Sequence, residues 1–359
     1  MTTSSEAPPR VPGAWRRRLL EWLRARQTVR MFRDDHLLAG LTAVLALGLL
    51  LPVFVTPFLP LVDLGSNIGA AGLLDDILLH RPVPSKYYAI NALPIPYWTG
   101  YVIMGGLEVL FGAVFAAKAT VALAVLLLPL AVMRLLVALD RSPRLGLWAF
   151  LLAWDVNVYW GWFTFQIGMS LAIYLVARLA EAKSLRDHAK LIPLTAVVGL
   201  SHVHATMLVG ISALVMALVK ERPLRALRDH AVTLSGFLVL IPWLVARALH
   251  PGGAPHAAFH FDIQSTPIPE KIVALYKFSL DVLPGAEAST FTSLAFFLLL
   301  AGPVALGAAA QRPTRPRASA LAVSIFVAVA GLYLLLPFAV NAPIIHWWTY
   351  PRFATYVLL

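Results

Sequence analysis

The chain contains no cysteine. That excludes disulfides, thiolate metal sites and cysteine nucleophiles. Charge is also scarce: 13% of residues are Asp, Glu, Lys or Arg, where a soluble domain carries roughly 25%. No Walker loop, dinucleotide fingerprint, G-x-S-x-G elbow or H-E-x-x-H helix occurs. The familiar signals for nucleotide binding, serine hydrolysis and zinc proteolysis are therefore missing. Internal repeats and low-complexity tracts are lacking too.

What fills the chain is apolar sequence. Hydrophobic residues make up 59% of the 359 positions, and mean hydropathy is +0.76. So large an excess over a soluble core implies lipid as the solvent. The net charge of +11 sits in short clusters between apolar runs, which is a topology signal rather than a nucleic-acid footprint.

A spanning helix needs about 20 mostly apolar residues. Leu37–Phe58 is the first such run, and eight arginines precede it, which places the N-terminus inside. Residues 1–36 read as a cytoplasmic basic segment, of which Trp15–Arg33 can form an amphipathic helix on the inner leaflet. Residues 37–359 read as one transmembrane domain. Leu59–Pro96 is a polar outer loop. Tyr97–Ala117 either spans or lies in the outer interface. The second option keeps Arg134, Arg141 and Arg144 inside and is preferred. Leu145–Tyr159 then goes out and Trp160–Ala180 returns. Leu191–His204 and Ala205–Val219 form a tight pair turning near His202–Thr206 or, both being short for spans, one tilted or bent helix. Ala231–Leu249 goes out, His250–Ser289 is a second outer segment, Phe291–Ala310 returns, and Ser319–Asn341 goes out again. Under this topology inner segments hold 22 of the 29 Lys and Arg, against 9 acids. The expectation is an all-α polytopic bundle of about nine or ten spans, with short interfacial helices in two long extracytoplasmic segments. Phe353–Leu359 is too short to cross, so a piece of a longer protein is expected.

Several polar residues stand where chemistry is expected. Asp63 follows the first span within FLPLVDLGSN, at the water boundary, where a carboxylate can accept a proton from an attacking hydroxyl. Asp75 and Asp76 lie further on. If Ile68–Leu79 is helical, Asp76 and His80 share a face at i and i+4. His202 and His204 (SHVHAT) sit at bilayer depth, where histidines are rare and often functional. Asp155 and Asn157 lie among tryptophans that mark an interface belt. His256, His260 and Asp262 form a weak metal pattern in a Gly- and Pro-containing stretch. His346, Trp347, Trp348, Tyr350 and Arg352 crowd a short outer loop, and aromatics with an arginine suit a lipid headgroup or pyrophosphate.

One inside-to-outside span, an aspartate directly after it, a long outer loop with short helices, then paired helices and a basic inner loop: this order resembles the membrane domain of GT-C glycosyltransferases, which use polyprenyl-phosphate sugars. The stretch NVYWGWFTFQIGMSLAIYLVARLAEAK, with SHVHATMLV after it, is similar to bacterial membrane proteins of that general type. The resemblance covers most of the chain and is architectural. It implies transfer of a sugar from a lipid-linked donor to an extracytoplasmic acceptor, with inversion, in a bacterial inner (plasma) membrane. Asp63 takes the role of base or metal-binding acid by position, and Asp76 that of a second loop acid. His80, His202, His204, His346 and Arg352 are then expected at the substrate. A divalent metal ion is the one cofactor the resemblance admits, and no metal ligands are assigned. Membrane lipids and the lipid-linked sugar are the expected partners, and nucleic acid is not. LGSN follows Asp63 where the pattern has a proline, histidine or second acid. A transporter or flippase, and a non-catalytic assembly subunit, are the competing readings.

Overall fold

The computed structural model describes residues 27–90, 94–249, 263–279, 316–340 and 349–359. Nearly all regular structure among them is helical, beside one two-stranded antiparallel pair. Four helical runs are long and apolar enough to cross a membrane: His36–Val55, Ala113–Ala138, Phe163–Glu181 and Pro223–Ala246. The chain is an all-α protein with several candidate membrane helices.

Helix α1 (Gln27–Asp34) is the described part of the basic N-terminal segment. Helix α2 (His36–Val55) starts at Asp35, whose carboxylate accepts from the Leu38 N–H at 3.0 Å and so satisfies one orphan donor of the first turn. The same carboxylate takes a fork from Arg144 at 2.7 and 3.0 Å. Only Leu38 and Val53 of α2 are buried, while Leu47, Leu51 and Val55 are exposed. An apolar helix this open needs lipid or a partner against it.

Helices α3 (Leu64–Leu78), α4 (Pro82–Tyr87) and α5 (Trp98–Phe111) follow. With 14 residues, α5 is about 21 Å long, well short of a hydrocarbon core of roughly 30 Å. Gly112, at φ 82°, turns the chain sharply into α6 (Ala113–Ala138). Near the start of α6, the Lys118 ammonium donates to Thr56 O at 2.7 Å, beside the last turn of α2. Beyond its end comes Arg144, paired with Asp35 at the first turn of α2. The two helices therefore run antiparallel, and the chain turns back without α5 reaching the basic end.

The return differs from the single span expected over Leu145–Tyr159. A 3-10 turn (Pro143–Leu147), α7 (Trp148–Leu151), a break and α8 (Val156–Tyr159) replace it. The Trp154 indole donates to Leu49 O at 3.3 Å, and the Val62 N–H donates to Tyr159 O at 3.0 Å. The segment thus runs alongside α2 from end to end. Helical 3-10 turns rise about 2.0 Å per residue against about 1.5 Å for an α-helix, and extended residues rise more. So short a stretch then covers what α2 covers with 20 residues.

Helix α9 (Phe163–Glu181) is the central element, with Phe165, Met169, Ala172, Leu175 and Leu179 buried against α6 and the following hairpin. Arg134 of α6 and Glu181 of α9 form a largely buried ion pair at the basic end. After α10 (Leu185–Ala189), helices α11 (Ile192–Ser201) and α12 (Val203–Leu218) meet at His202, which interrupts the helix in extended conformation. The following run starts earlier than the expected Ala231: α13 (Pro223–Leu234) passes through a 3-10 turn into α14 (Ile241–Leu249).

Strands β1 (Ile263–Gln264) and β2 (Ala339–Val340) pair around α15 (Ile268–Ser279) and α16 (Pro316–Leu335). The buried Lys271 donates to the terminal carbonyls of α16, Leu334 O at 2.7 Å and Leu336 O at 2.6 Å, which satisfies acceptors that a helix end leaves open. Helix α17 (Ala354–Leu358) closes the sequence, with Phe353 to Tyr356 buried against the α9 core.

Candidate functional site

Asp63 stands at the N-terminus of α3, half-buried. Its backbone is fixed from outside: the Asp63 N–H donates to Trp160 O at 3.0 Å. Gly161 makes this approach possible. It sits at φ +81°, and a Cβ there would lie 3.1 Å from the Leu64 nitrogen and 3.3 Å from that of Asp63. The loop carrying Trp160 and Trp162 is thereby pressed against the turn carrying Asp63. The Trp162 indole N–H donates to Asp63 Oδ2 at 3.2 Å.

The face of the same indole carries Arg352, whose guanidinium carbon lies 3.8 Å from the ring centroid. A cation over an aromatic face is held by the ring quadrupole. The Arg352 Nη1 donates to His202 Nε2 at 3.0 Å. Burial lowers Arg352 to about 10, so it keeps its charge at neutral pH. His202 Nδ1 accepts from the His204 backbone N–H at 3.2 Å and lies 3.1 Å from His204 Nδ1. His202 is packed edge-on by Tyr97 at 4.8 Å and Phe165 at 5.0 Å. Gly168 on α9 lets the interrupted hairpin come this close, since a Cβ there would meet Ser201 Cβ at 2.8 Å.

Asp63 and Arg352 make no ion pair with each other; the indole separates them. Arg352 Nε is buried and has no hydrogen-bond partner among the described residues. A cation and an anion held on two sides of one ring keep donor and acceptor capacity for a third group.

Asp155 holds the C-terminal segment in place. Its Oδ1 accepts from the N–H groups of Asn157 at 3.0 Å and Val158 at 3.2 Å, and its Oδ2 accepts from Asn157 Nδ2 at 2.7 Å and Thr355 Oγ1 at 2.5 Å. The Tyr356 hydroxyl donates to Gln166 Oε1 at 2.8 Å. These bonds flank Arg352 and bind its stretch of chain to α8 and α9.

Asp63, His202, His204 and Arg352 thus come together. Asp76 and His80 do not join them or each other. Helix α3 ends at Leu78, and His80 adopts the left-handed conformation at φ 55°, so the expected i, i+4 face does not exist. Asp76 pairs with Arg81 instead. Asp75 packs on Gly105, with a buried oxygen that lacks a partner among the described residues. His346, like His256, His260 and Asp262, lies outside the described residues. Trp162, Gly161, Tyr97 and Thr355 were missed by reading the sequence; the WGW triplet was the available sign, a glycine between two belt tryptophans.

A divalent metal does not fit this donor set. Among the described residues no group of three or more His, Asp and Glu converges, and His202 Nε2 already faces a guanidinium.

Beside the site lies an apolar cavity of about 250 Å³ between α3 and α5, with Leu73, Ile77, Tyr88, Trp98 and Tyr101 in its wall. The Tyr101 hydroxyl donates to Asn67 Oδ1 at 3.1 Å, and Asn67 Nδ2 donates to Gly161 O at 2.8 Å. The cavity and the polar cluster therefore share a wall. Neither a family model nor a curated protein nor a solved structure matches this chain.

Proposed function

We propose that this protein is a membrane-embedded glycosyltransferase that takes a sugar from a polyprenyl-phosphate donor and delivers it to a hydroxyl of an extracytoplasmic acceptor. The observation that carries this reading is the placement of Asp63 and Arg352 on the edge and face of one indole, with no ion pair between them. Arg352 offers a donor fork to the donor phosphate, backed by His202. Asp63 accepts the proton of the acceptor hydroxyl. The acceptor oxygen bonds to the anomeric carbon as the bond from that carbon to the phosphate oxygen breaks. The polyprenyl phosphate leaves with its negative charge beside Arg352. Its first isoprene units suit the apolar cavity under Tyr101. In this reading the chain makes nine or ten crossings of a bacterial plasma membrane, with its N-terminus inside and α5 in the outer interface.

The test is transfer from a panel of radiolabelled polyprenyl-phosphate hexoses and pentoses by membranes carrying the full chain. Asp63→Asn is expected to reduce transfer about a hundredfold or more, within the usual span for loss of a general base. Unchanged transfer in that variant overturns the assignment. A transporter is the second reading, favoured by two interrupted helical segments meeting at one site, before Asp155 and at His202. Uptake of the donor by proteoliposomes, without transfer, would select it.

A further inference from the structure

At the end opposite Asp63 a cavity of about 570 Å³ opens among the ends of α6, α9 and α12, the start of α13, and α16. Its volume falls in the range of small-ligand sites, about 300–1,000 Å³. Four cations line it: Lys183 after α9, Lys220 and Arg222 before α13, and Arg225 in its first turn. The side chains of Lys183, Arg222 and Arg225 make no hydrogen bond with a described residue, and Arg225 adds a charge interaction with Asp229. The acids in the wall are already engaged. Asp229 takes two bonds from Arg228, at 3.2 and 2.9 Å, and Asp140 and Glu221 each have an interaction partner. Lys220 turns to His230 Nε2 at 3.5 Å, and burial lowers its pKa. The cavity thus presents unbalanced positive charge.

The surroundings are apolar. Leu218 and Leu224, sequence neighbours of the wall residues, are 61% and 83% exposed. A soluble anion would leave such leucines bare, whereas acyl chains would cover them.

We infer that this cavity binds the phosphate headgroup of an anionic phospholipid. Two arginine forks and an ammonium match phosphate oxygens, and basic recesses between membrane helices recognise such headgroups by charge. The site is independent of the reaction proposed at the other end, and its test needs no enzymatic activity.

The experiment is native mass spectrometry of the purified full chain with diphosphatidylglycerol, phosphatidylcholine or inorganic pyrophosphate as probes. The wild type is expected to retain diphosphatidylglycerol over phosphatidylcholine about tenfold, equivalent to roughly one or two well-placed basic side chains. The triple change Lys183→Gln, Arg222→Gln and Arg225→Gln is expected to abolish that preference. A control triple, Arg30→Gln, Arg186→Gln and Lys190→Gln, removes equal charge outside the cavity and is expected to keep it. Equal loss in both triples, or no preference in the wild type, overturns the proposal. So does pyrophosphate that binds and displaces the lipid, because the ligand is then a soluble phosphate. If the cavity triple fails to fold by its thermal transition, Arg225→Gln alone is measured the same way. Partial loss supports the site and full retention refutes it.

Discussion

Two pairs of buried histidines stand at opposite ends of the bundle. At the basic end His188 and His230 lie 5.3 Å apart between ring centroids; at the other end His202 and His204 lie 4.9 Å apart and stack. The first pair is closed. Thr233 Oγ1 donates to His188 O at 3.2 Å, so the 3.0 Å contact between that oxygen and His188 Nδ1 has the imidazole as donor. The His230 Nδ1–H goes to Ala213 O at 2.9 Å, and its Nε2 faces Lys220. Each bond ends on a helix that the bond joins to another. The second pair ends on Arg352, a cation whose Nε is unpartnered and whose other neighbours are an indole and, beyond it, a carboxylate. Burial alone does not distinguish the two pairs. What separates them is whether the hydrogen-bond chain ends inside the fold or on a group with capacity to spare.

The comparison breaks most easily at Arg352. Arg352→Gln keeps a donor for His202 and removes the charge. It is expected to weaken binding of polyprenyl monophosphate about a hundredfold, or ~2.7 kcal/mol, with little change in thermal midpoint. Equilibrium binding in detergent measures the first and a thermal scan the second. A lost midpoint with unchanged binding would make both histidine pairs structural.

A smaller effect sharpens the contrast. His202→Leu removes the acceptor behind Arg352 together with the cap on the His204 N–H, and about tenfold weaker binding is expected, because the guanidinium loses one hydrogen bond of orientation. His230→Leu is expected to leave binding untouched and to cost about 1 kcal/mol of stability, since the buried Ala213 carbonyl loses its side-chain donor. The two leucine variants should thus separate along the affinity axis of one plot of affinity against midpoint.

Much of the site was legible because bilayer chemistry makes certain residues conspicuous. An aspartate just past an apolar run, two histidines inside one, and an arginine among tryptophans each stand out by cost of burial, and Asp63, His202, His204 and Arg352 are brought together. Their organisation was not legible. It depends on Gly161 at positive φ and on Trp162 as a spacer, and on Asp155 reaching Thr355, a residue far away in the sequence. Those depend on which loops meet, which apolar periodicity does not encode. The shared face of Asp76 and His80 does not form because the helix ends before His80, and Pro82 two residues later is a usual sign of that. The broken segment over Leu145–Tyr159 was read as one helix because hydropathy measures apolar length and is blind to rise per residue. His188 and His230 drew no attention at all: each sits among basic residues and reads as part of a topology signal.

The smallest expected effect concerns pH. Burial, and then the charge of Lys220, hold His188 below its ordinary value of 6.5, while Asp229 and Asp187 pull weakly the other way. In the unfolded chain His188 titrates near 6.5; in the fold it stays neutral to lower pH. The unfolded state therefore binds more protons, and stability falls as pH drops below that value. The geometry gives the reason: with Nδ1–H already committed to Thr233, a second proton at Nε2 would add positive charge to a wall that holds Lys220. His188→Asn retains an N–H donor for Thr233 and cannot take up that proton. Its thermal midpoint in detergent should change less than that of the wild type between pH 7.5 and 5.5, about the span in which histidines titrate, while the two proteins share every carboxylate contribution, including that of Asp35 with Arg144. Parallel curves would mean that the closed pair is no more sensitive to protons than a surface histidine, and would remove the electrostatic half of the contrast drawn between the two ends.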